Sequence, residues 1–236
     1  MPEGHLVHRH ADELRAAFRG RVVHASSPRG RFAEGAATID DDRLEDTEAY
    51  GKHLFLRFEA SRVVHVHLGR QGLWLRSDAG SPPRPSVRLR LSANGNTADL
   101  IAPLVCELGD PSTRDAVVAR LGPDPIRADA DEERVRTAIA ANAQPIGGLL
   151  LDQSVISGLG NVLRAEILSL VGVHPATEGR AIEPAAFEAF WETTVEVMRR
   201  AAREGRIITR RPAGLPVERL DEVEGRFVYG RERCGR

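Results

Sequence analysis

The hydrophobic period of this chain changes once, near residue 125, and that change requires two different kinds of layer. Before it, apolar residues alternate. Leu54, Leu56 and Phe58 share a face in 53–58, Val64, Val66 and Leu68 in 63–68, and Val87, Leu89 and Leu91 alternate with Arg88 and Arg90. Period two marks half-buried strands, and short strands parted by Gly, Pro and Ser predict a β-sandwich. A helix is expected ahead of them over 3–18, where Leu6, His10, Leu14 and Phe18 recur every fourth residue before Gly20. Helices are expected at 112–122, before the linker prolines Pro123 and Pro125, and then at 131–143, near 147–151, over 161–171 and over 184–204. The fold class expected is therefore α+β. Residues 1–122 form an N-terminal β-sandwich flanked by helices, 123–205 an all-α domain, and 206–236 an irregular basic segment ending like one strand of a ribbon.

At 236 residues the chain can bury one large core or two modest ones. No apolar run approaches 18 residues, which excludes a membrane span, and MPEGHLVHRH is too polar for a signal peptide. With two cysteines, Cys106 and Cys234, there is no disulfide framework, so a cytoplasmic, reducing location is expected. Net charge is −1, yet it is segregated: 40–48 carries −5, 52–90 carries +6, 107–133 carries −5 and 196–236 carries +4. Two basic tracts could form one phosphate-binding face, or simply solvated surface. Of the 33 basic residues, 32 are arginine and Lys52 is the single lysine. Compositional drift accounts for the bias. A titratable amine, which guanidinium cannot replace, would account for the exception.

Three local patterns carry possible chemistry. Pro2 follows the initiator Met, whose removal would expose a secondary amine able to attack an electrophilic carbon, with Glu3 beside it for proton transfer. The same pair also reads as a processed terminus and an ordinary helix-start acid. Gly51-Lys52-His53 stands before a strand, where Lys52 could meet a phosphate or a departing base, or lie idle on the surface. In 152–161 Gly158 and Gly160 precede a helix, so backbone N–H groups could approach an anion while Asn161 caps the helix and offers its amide. A tight helix–helix turn explains it equally.

Together Pro2-Glu3-Gly4-His5, Gly51-Lys52-His53-Leu54 and LDQSVISGLGNVLRAEIL resemble the formamidopyrimidine-DNA glycosylase / endonuclease VIII family, with His65–Gly69, LGPDP at 121–125 and Pro145-Ile146-Gly147 extending the match. The resemblance implies a helix–two-turn–helix C-terminal domain and a bifunctional DNA glycosylase/AP lyase. Pro2 would attack C1′ of a damaged nucleotide, Glu3 would act as general acid, and Lys52 would protonate or position the substrate. β- and δ-elimination would follow, with Asn161 on a flanking phosphate and the damaged base flipped out. The implied partner is damaged double-stranded DNA, bound by a monomer.

The sequence departs from that pattern twice. The family's four-cysteine zinc ribbon is represented by Cys234 alone, so 206–236 is expected to be the start of a truncated ribbon, with no zinc bindable by the chain as written. Arg70-Gln71 stands where an apolar wedge often follows His-Leu-Gly. The Pro-Glu-Gly-His start and Leu104–Glu107 look like the endonuclease VIII branch, which implies oxidised pyrimidines as substrates, with oxidised purines as the alternative. A non-enzymatic DNA-binding module is the reading from another class, and an intact Pro2, Glu3 and Lys52 set argues against it.

Overall fold

A computed structural model of the chain describes residues 2–78, 80–213 and 215–235. Met1 and Arg236, on which the expectations of N-terminal processing and chain end fall, lie outside the described residues. The chain divides into two compact units, one of residues 7–119 with the extreme N-terminus, the other of residues 3–6 with 120 onwards. No helix among the described residues is long and apolar enough to cross a membrane.

The first unit holds α1 (Gly4–Phe18), β1 (His24–Ser26), α2 (Ala33–Ile39), β2 (Leu44–Tyr50), β3 (His53–Phe58), β4 (Arg62–His67), β5 (Leu73–Asp78), β6 (Val87–Ala93), β7 (Asn96–Ile101), β8 (Val105–Gly109) and α3 (Pro111–Val118). Two four-stranded sheets form, in the orders β1-β6-β7-β5 and β2-β3-β4-β8, and every pairing is antiparallel. The period-two residues point where the sequence implies: Leu54, Leu56, Phe58, Val64, Val66, Leu68, Leu89 and Leu91 share one core. Helix α1 adds Val7, Ala11, Leu14 and Phe18 to that core, a stripe that follows the 3.6-residue turn rather than strict fourth positions. It is tied to β2 by Thr47 Oγ1, which donates to the Ala11 carbonyl at 2.6 Å, and by Arg15 on Asp46 at 2.7 Å.

The second unit contains α4 (Glu132–Ala140), α5 (Ile146–Leu149), α6 (Asn161–Val171) and α7 (Pro184–Glu204) around Ile139, Leu150, Leu163, Ile167, Phe190 and Met198. Asp131 caps α4 by accepting the Arg134 N–H at 3.0 Å, and Pro184 opens α7, where its missing N–H costs nothing. The fold is α+β with a sandwich and a helical part, as the two periods require.

The tail differs from expectation. No strand forms among the described residues of 206–235; the ribbon-like stretch runs as turns. The cause is Glu166, fully buried on α6, whose carboxylate accepts the N–H groups of Phe227 (2.8 Å), Val228 (2.9 Å) and Tyr229 (2.7 Å) and the Thr209 hydroxyl. Donors that a ladder would have used are spent on one anion. Glu166→Ala would orphan those groups at about 1–3 kcal/mol each. Limited proteolysis should then cut within 206–235 of the variant while the wild type resists. An unchanged digest would mean that the tail is held by something else.

Candidate active site

The glycine turn before α6 is built around an anion, and that anion is the chain's own. Glu3 is 1% exposed. Its Oε2 accepts the Gly160 N–H at 3.0 Å and the Leu163 N–H at 3.1 Å, and its Oε1 accepts the Val162 N–H at 2.8 Å. These are donors that the first turn of a helix leaves without partners, at its positive end. Gly160 is the N-cap residue and has no side chain to cap with. Its identity follows from the clamp, because a Cβ there would lie 2.5 Å from the Glu3 carboxyl carbon. A second contact seals the approach. Gly4 N–H donates to the Gly158 carbonyl at 2.8 Å, and a Cβ on Gly4 would sit 2.7 Å from Gly158 Cα. Gly158 itself adopts φ +94°, which side chains rarely tolerate.

Gln153 locks the rest of the turn. Its side-chain Oε1 accepts the Gly158 N–H at 3.1 Å, and its Nε2 donates to the Leu151 and Leu159 carbonyls. Asp152 accepts from both the N–H and the hydroxyl of Ser154, and those bonds hold its carboxyl below the usual carboxylate range. Sequence reasoning offered the N–H groups of Gly158 and Gly160 to an outside anion; in the structure they are engaged by Gln153 and Glu3. Asn161 is the first residue of α6 rather than its cap, and its side chain is half-exposed beside the clamp. The turn thus brings Glu3, Gly158, Gly160 and Asn161 together, with Pro2 one peptide bond from Glu3.

Lys52, Arg70 and Gln71 belong to the sandwich unit. Lys52 is the second residue of the two-residue turn joining β2 to β3, closed by the Tyr50–His53 pair, with Gly51 first at φ +57°. A glycine in that place suits a tight hairpin, which explains the Gly-Lys order. The Lys52 charge reaches His67, whose imidazole is held below its usual range by burial first, then by His65 and Lys52. Arg70 and Gln71 are exposed on the turn after β4. Beside that turn stands a residue the sequence reading gave no role. Leu104 is 71% exposed, its N–H donates to the His67 carbonyl at 2.9 Å, and a Cβ on Gly69 would lie 2.8 Å from its own Cβ. The one available signal was its place in Leu104–Glu107.

Zinc does not fit the residues present. Cys234 is exposed, while Cys106 lies on β8 in the other unit with its thiol pushed up to about 12 by burial. A tetrahedral four-ligand site cannot be assembled from them. Among the described residues one group of metal-type side chains lies within ligand range, His24, Asp40 and Asp41, all exposed, and there His24 already pairs with Asp41 at 2.8 Å.

Two family models match the chain: the formamidopyrimidine-DNA glycosylase N-terminal domain over residues 1–102, and the formamidopyrimidine-DNA glycosylase H2TH domain over 121–212. The chain is 42% identical to endonuclease 8 1 of Mycobacterium tuberculosis, covering 98% of this chain and 89% of that protein. It is 32% identical to the probable endonuclease 8 2 of Streptomyces coelicolor, covering 100% and 85%. A solved complex of the LlFpg protein with a THF-DNA and an inhibitor shares the fold at a TM-score of 0.79 and 20% identity, over 99% of this chain and 91% of that one.

The clamp makes a direct prediction. Gly160→Ala should displace the Glu3 carboxylate and release the Val162 and Leu163 amides, at a cost of about 1–3 kcal/mol. Hydrogen exchange at those two amides should accelerate well beyond the rest of α6. Unchanged protection there would show that the helix start does not depend on Glu3.

Proposed function

The chain belongs to the formamidopyrimidine-DNA glycosylase / endonuclease VIII family of base-excision-repair DNA glycosylases, and from that premise we propose that it is a bifunctional DNA glycosylase/AP lyase acting on damaged double-stranded DNA through the amine of Pro2. The observation that carries the reading is the Glu3 clamp. A terminal amine is a useful nucleophile only when held still, and Glu3 fixes the adjoining residue through three backbone N–H groups.

With Met1 removed, the Pro2 nitrogen is a secondary amine. It attacks C1′, the bond from C1′ to the base breaks, and the base leaves with a proton. The resulting iminium acidifies the neighbouring sugar C–H, so β-elimination and then δ-elimination cut the strand. Lys52 is the proton donor to the departing base, a task for a compact ammonium that arginine cannot perform. Glu3 assists proton transfer to the opening sugar, and Asn161 offers its amide to a phosphate flanking the lesion. Gly158 and Gly160 contribute by letting Glu3 and Gly4 approach closely. A flipped base leaves a gap, and Arg70, Gln71 and Leu104 together present an exposed surface to fill it. Leu104 is the apolar wedge and Arg70 a stacking guanidinium. Oxidised pyrimidines are the preferred lesions; the Pro-Glu-Gly-His start and the endonuclease 8 relatives support this over purines.

Borohydride should trap a covalent adduct with abasic duplex DNA whose cross-linked peptide begins at Pro2. An adduct on Lys52 would overturn the nucleophile. Lys52→Arg should slow excision of a pyrimidine lesion by about 100-fold, while cleavage of a pre-formed abasic site falls much less. Equal losses on both substrates would remove Lys52 from base departure. Leu104→Ser should weaken excision from duplex DNA and spare the same lesion in a single strand; parallel losses would exclude the wedge.

A further inference from the structure

One side-chain amide reaches both points at which the N-terminal segment is held. Gln153 Oε1 accepts the Gly158 N–H at 3.1 Å, and the carbonyl of that same Gly158 accepts the Gly4 N–H at 2.8 Å. Gln153 Nε2 donates to the Leu159 carbonyl at 3.1 Å. The other end of that peptide unit is the Gly160 N–H, which donates to Glu3 Oε2 at 3.0 Å. One half of the amide is therefore a single residue from the Gly4 anchor, and the other half a single peptide plane from the Glu3 anchor. The amide cannot be turned round. Exchanging its oxygen and nitrogen would set a donor against the Gly158 N–H and an acceptor against the Leu151 and Leu159 carbonyls. Gln153 is itself tethered. Nε2 also donates to the Leu151 carbonyl at 2.9 Å, and the backbone carbonyl of Gln153 accepts the Gly122 N–H at 2.8 Å.

Two anchors do what one cannot. The peptide unit between Glu3 and Gly4 is held at both ends, its N–H by Gly158 at 2.8 Å and its carbonyl by the Leu6 N–H at 3.0 Å. The Glu3 side chain is held separately, by the N–H groups of Gly160, Val162 and Leu163. With the Cβ and the carbonyl carbon of Glu3 both placed, tetrahedral geometry sets the direction of the bond from its Cα back towards Pro2. Rotation about that bond and within Pro2 is what remains. Releasing either anchor returns further torsions to the chain. Gly158 adopts φ +94°, a conformation that glycine enters and leaves freely. The direction of its carbonyl therefore depends on the bonds that hold the turn, and the Gln153 amide brackets it on both sides.

We propose that Gln153 is a positioning residue for the Pro2 amine, acting through Gly158 on Gly4 and through Gly160 on Glu3. The proposal rests on the glycosylase/lyase reading above and adds to it a side chain that works through backbone rather than on DNA. Attack on C1′ needs the nitrogen at near-attack distance and angle, and a displacement of about 1 Å costs about 100-fold in rate. The phosphate contact assigned to Asn161 is carried by α6, which its own buried face of Val162, Leu163 and Ile167 holds in place. Loss of Gln153 therefore acts on rate and spares affinity.

Hydrogen exchange tests the anchors in the wild type: the Gly4 and Gly160 amides should be protected, although a chain end ordinarily frays. Gln153→Met keeps the side-chain length and drops all three hydrogen bonds of the amide. Exchange at both amides should accelerate, and borohydride trapping of abasic duplex DNA at saturating enzyme should slow about 10-fold. The Kd for the same duplex, measured without borohydride, should stay at the wild-type value. Gln153→Glu keeps the acceptor for Gly158 and removes the donor to Leu159, so exchange should accelerate at Gly160 more than at Gly4, again with slower trapping. Unprotected Gly4 and Gly160 amides in the wild type overturn the proposal. So does wild-type trapping in either folded variant, or a loss that appears wholly in Kd. Failure of the wild type to trap at Pro2 instead overturns the lyase reading, and the positioning role with it.

Discussion

One buried carboxylate fixes the N-terminus of this protein. Glu3 replaces water at the start of α6 with two oxygens that satisfy three backbone N–H groups. Hydrogen bonds to a charged acceptor contribute about 1.5–3 kcal/mol each, and a helix N-terminus adds to the attraction. The glycines follow from this contact. Gly160 leaves room for the carboxyl, while Gly4 and Gly158 allow two backbones to meet at 2.8 Å. A chain end would ordinarily fray. Here residue 3 is as well anchored as a core residue, and residue 2 is one peptide bond from it.

Helix α6 uses the same device twice, in opposite senses. At its first turn it donates to a distant glutamate, and from its middle it extends a glutamate, Glu166, to N–H groups of the tail. Both carboxylates are buried, and both are satisfied by several N–H groups, the condition under which a buried charge is tolerable. This joins Glu3 and residues 227–229 to a single helix.

What the sequence made legible was what period and turn chemistry encode. β3, β4 and β6 alternate cleanly, and Gly158 and Gly160 announce a turn before α6. β7 was hidden because its alternation is interrupted by a buried acid, Asp99, which is neutralised by two 2.7 Å bonds from Arg90. β2 was hidden because its inward residue, Thr47, is polar and finds its partner in the Ala11 carbonyl on α1. The candidate residues at Pro2, Glu3 and Asn161 were visible as local patterns, but the Glu3 contact was not. Its partners lie 157 to 160 residues away, and no local spacing encodes them. The reach of Gln153 was hidden for the same reason: Gly158 and Gly160, through which it acts, meet Gly4 and Glu3 only in the fold.

Charge counted along the sequence also gives way to charge counted in space. The basic tract over 52–90 looked like a phosphate-binding face, yet Arg57 pairs with Asp46, Arg62 with Asp42 and Arg90 with Asp99. In the last tract Arg200, Arg211 and Arg226 pair with Glu196, Glu204 and Glu222. Arginines so committed neutralise the protein's own acids and release no counterions when a polyanion binds. Within 52–90, Arg70 and Arg84 are exposed, and Arg70 stands on the turn that also exposes Leu104. The positive charge available for DNA is therefore smaller than the tract sums. A net charge of −1 is then compatible with a nucleic-acid substrate, because binding depends on which guanidinium groups remain unpaired and where they stand.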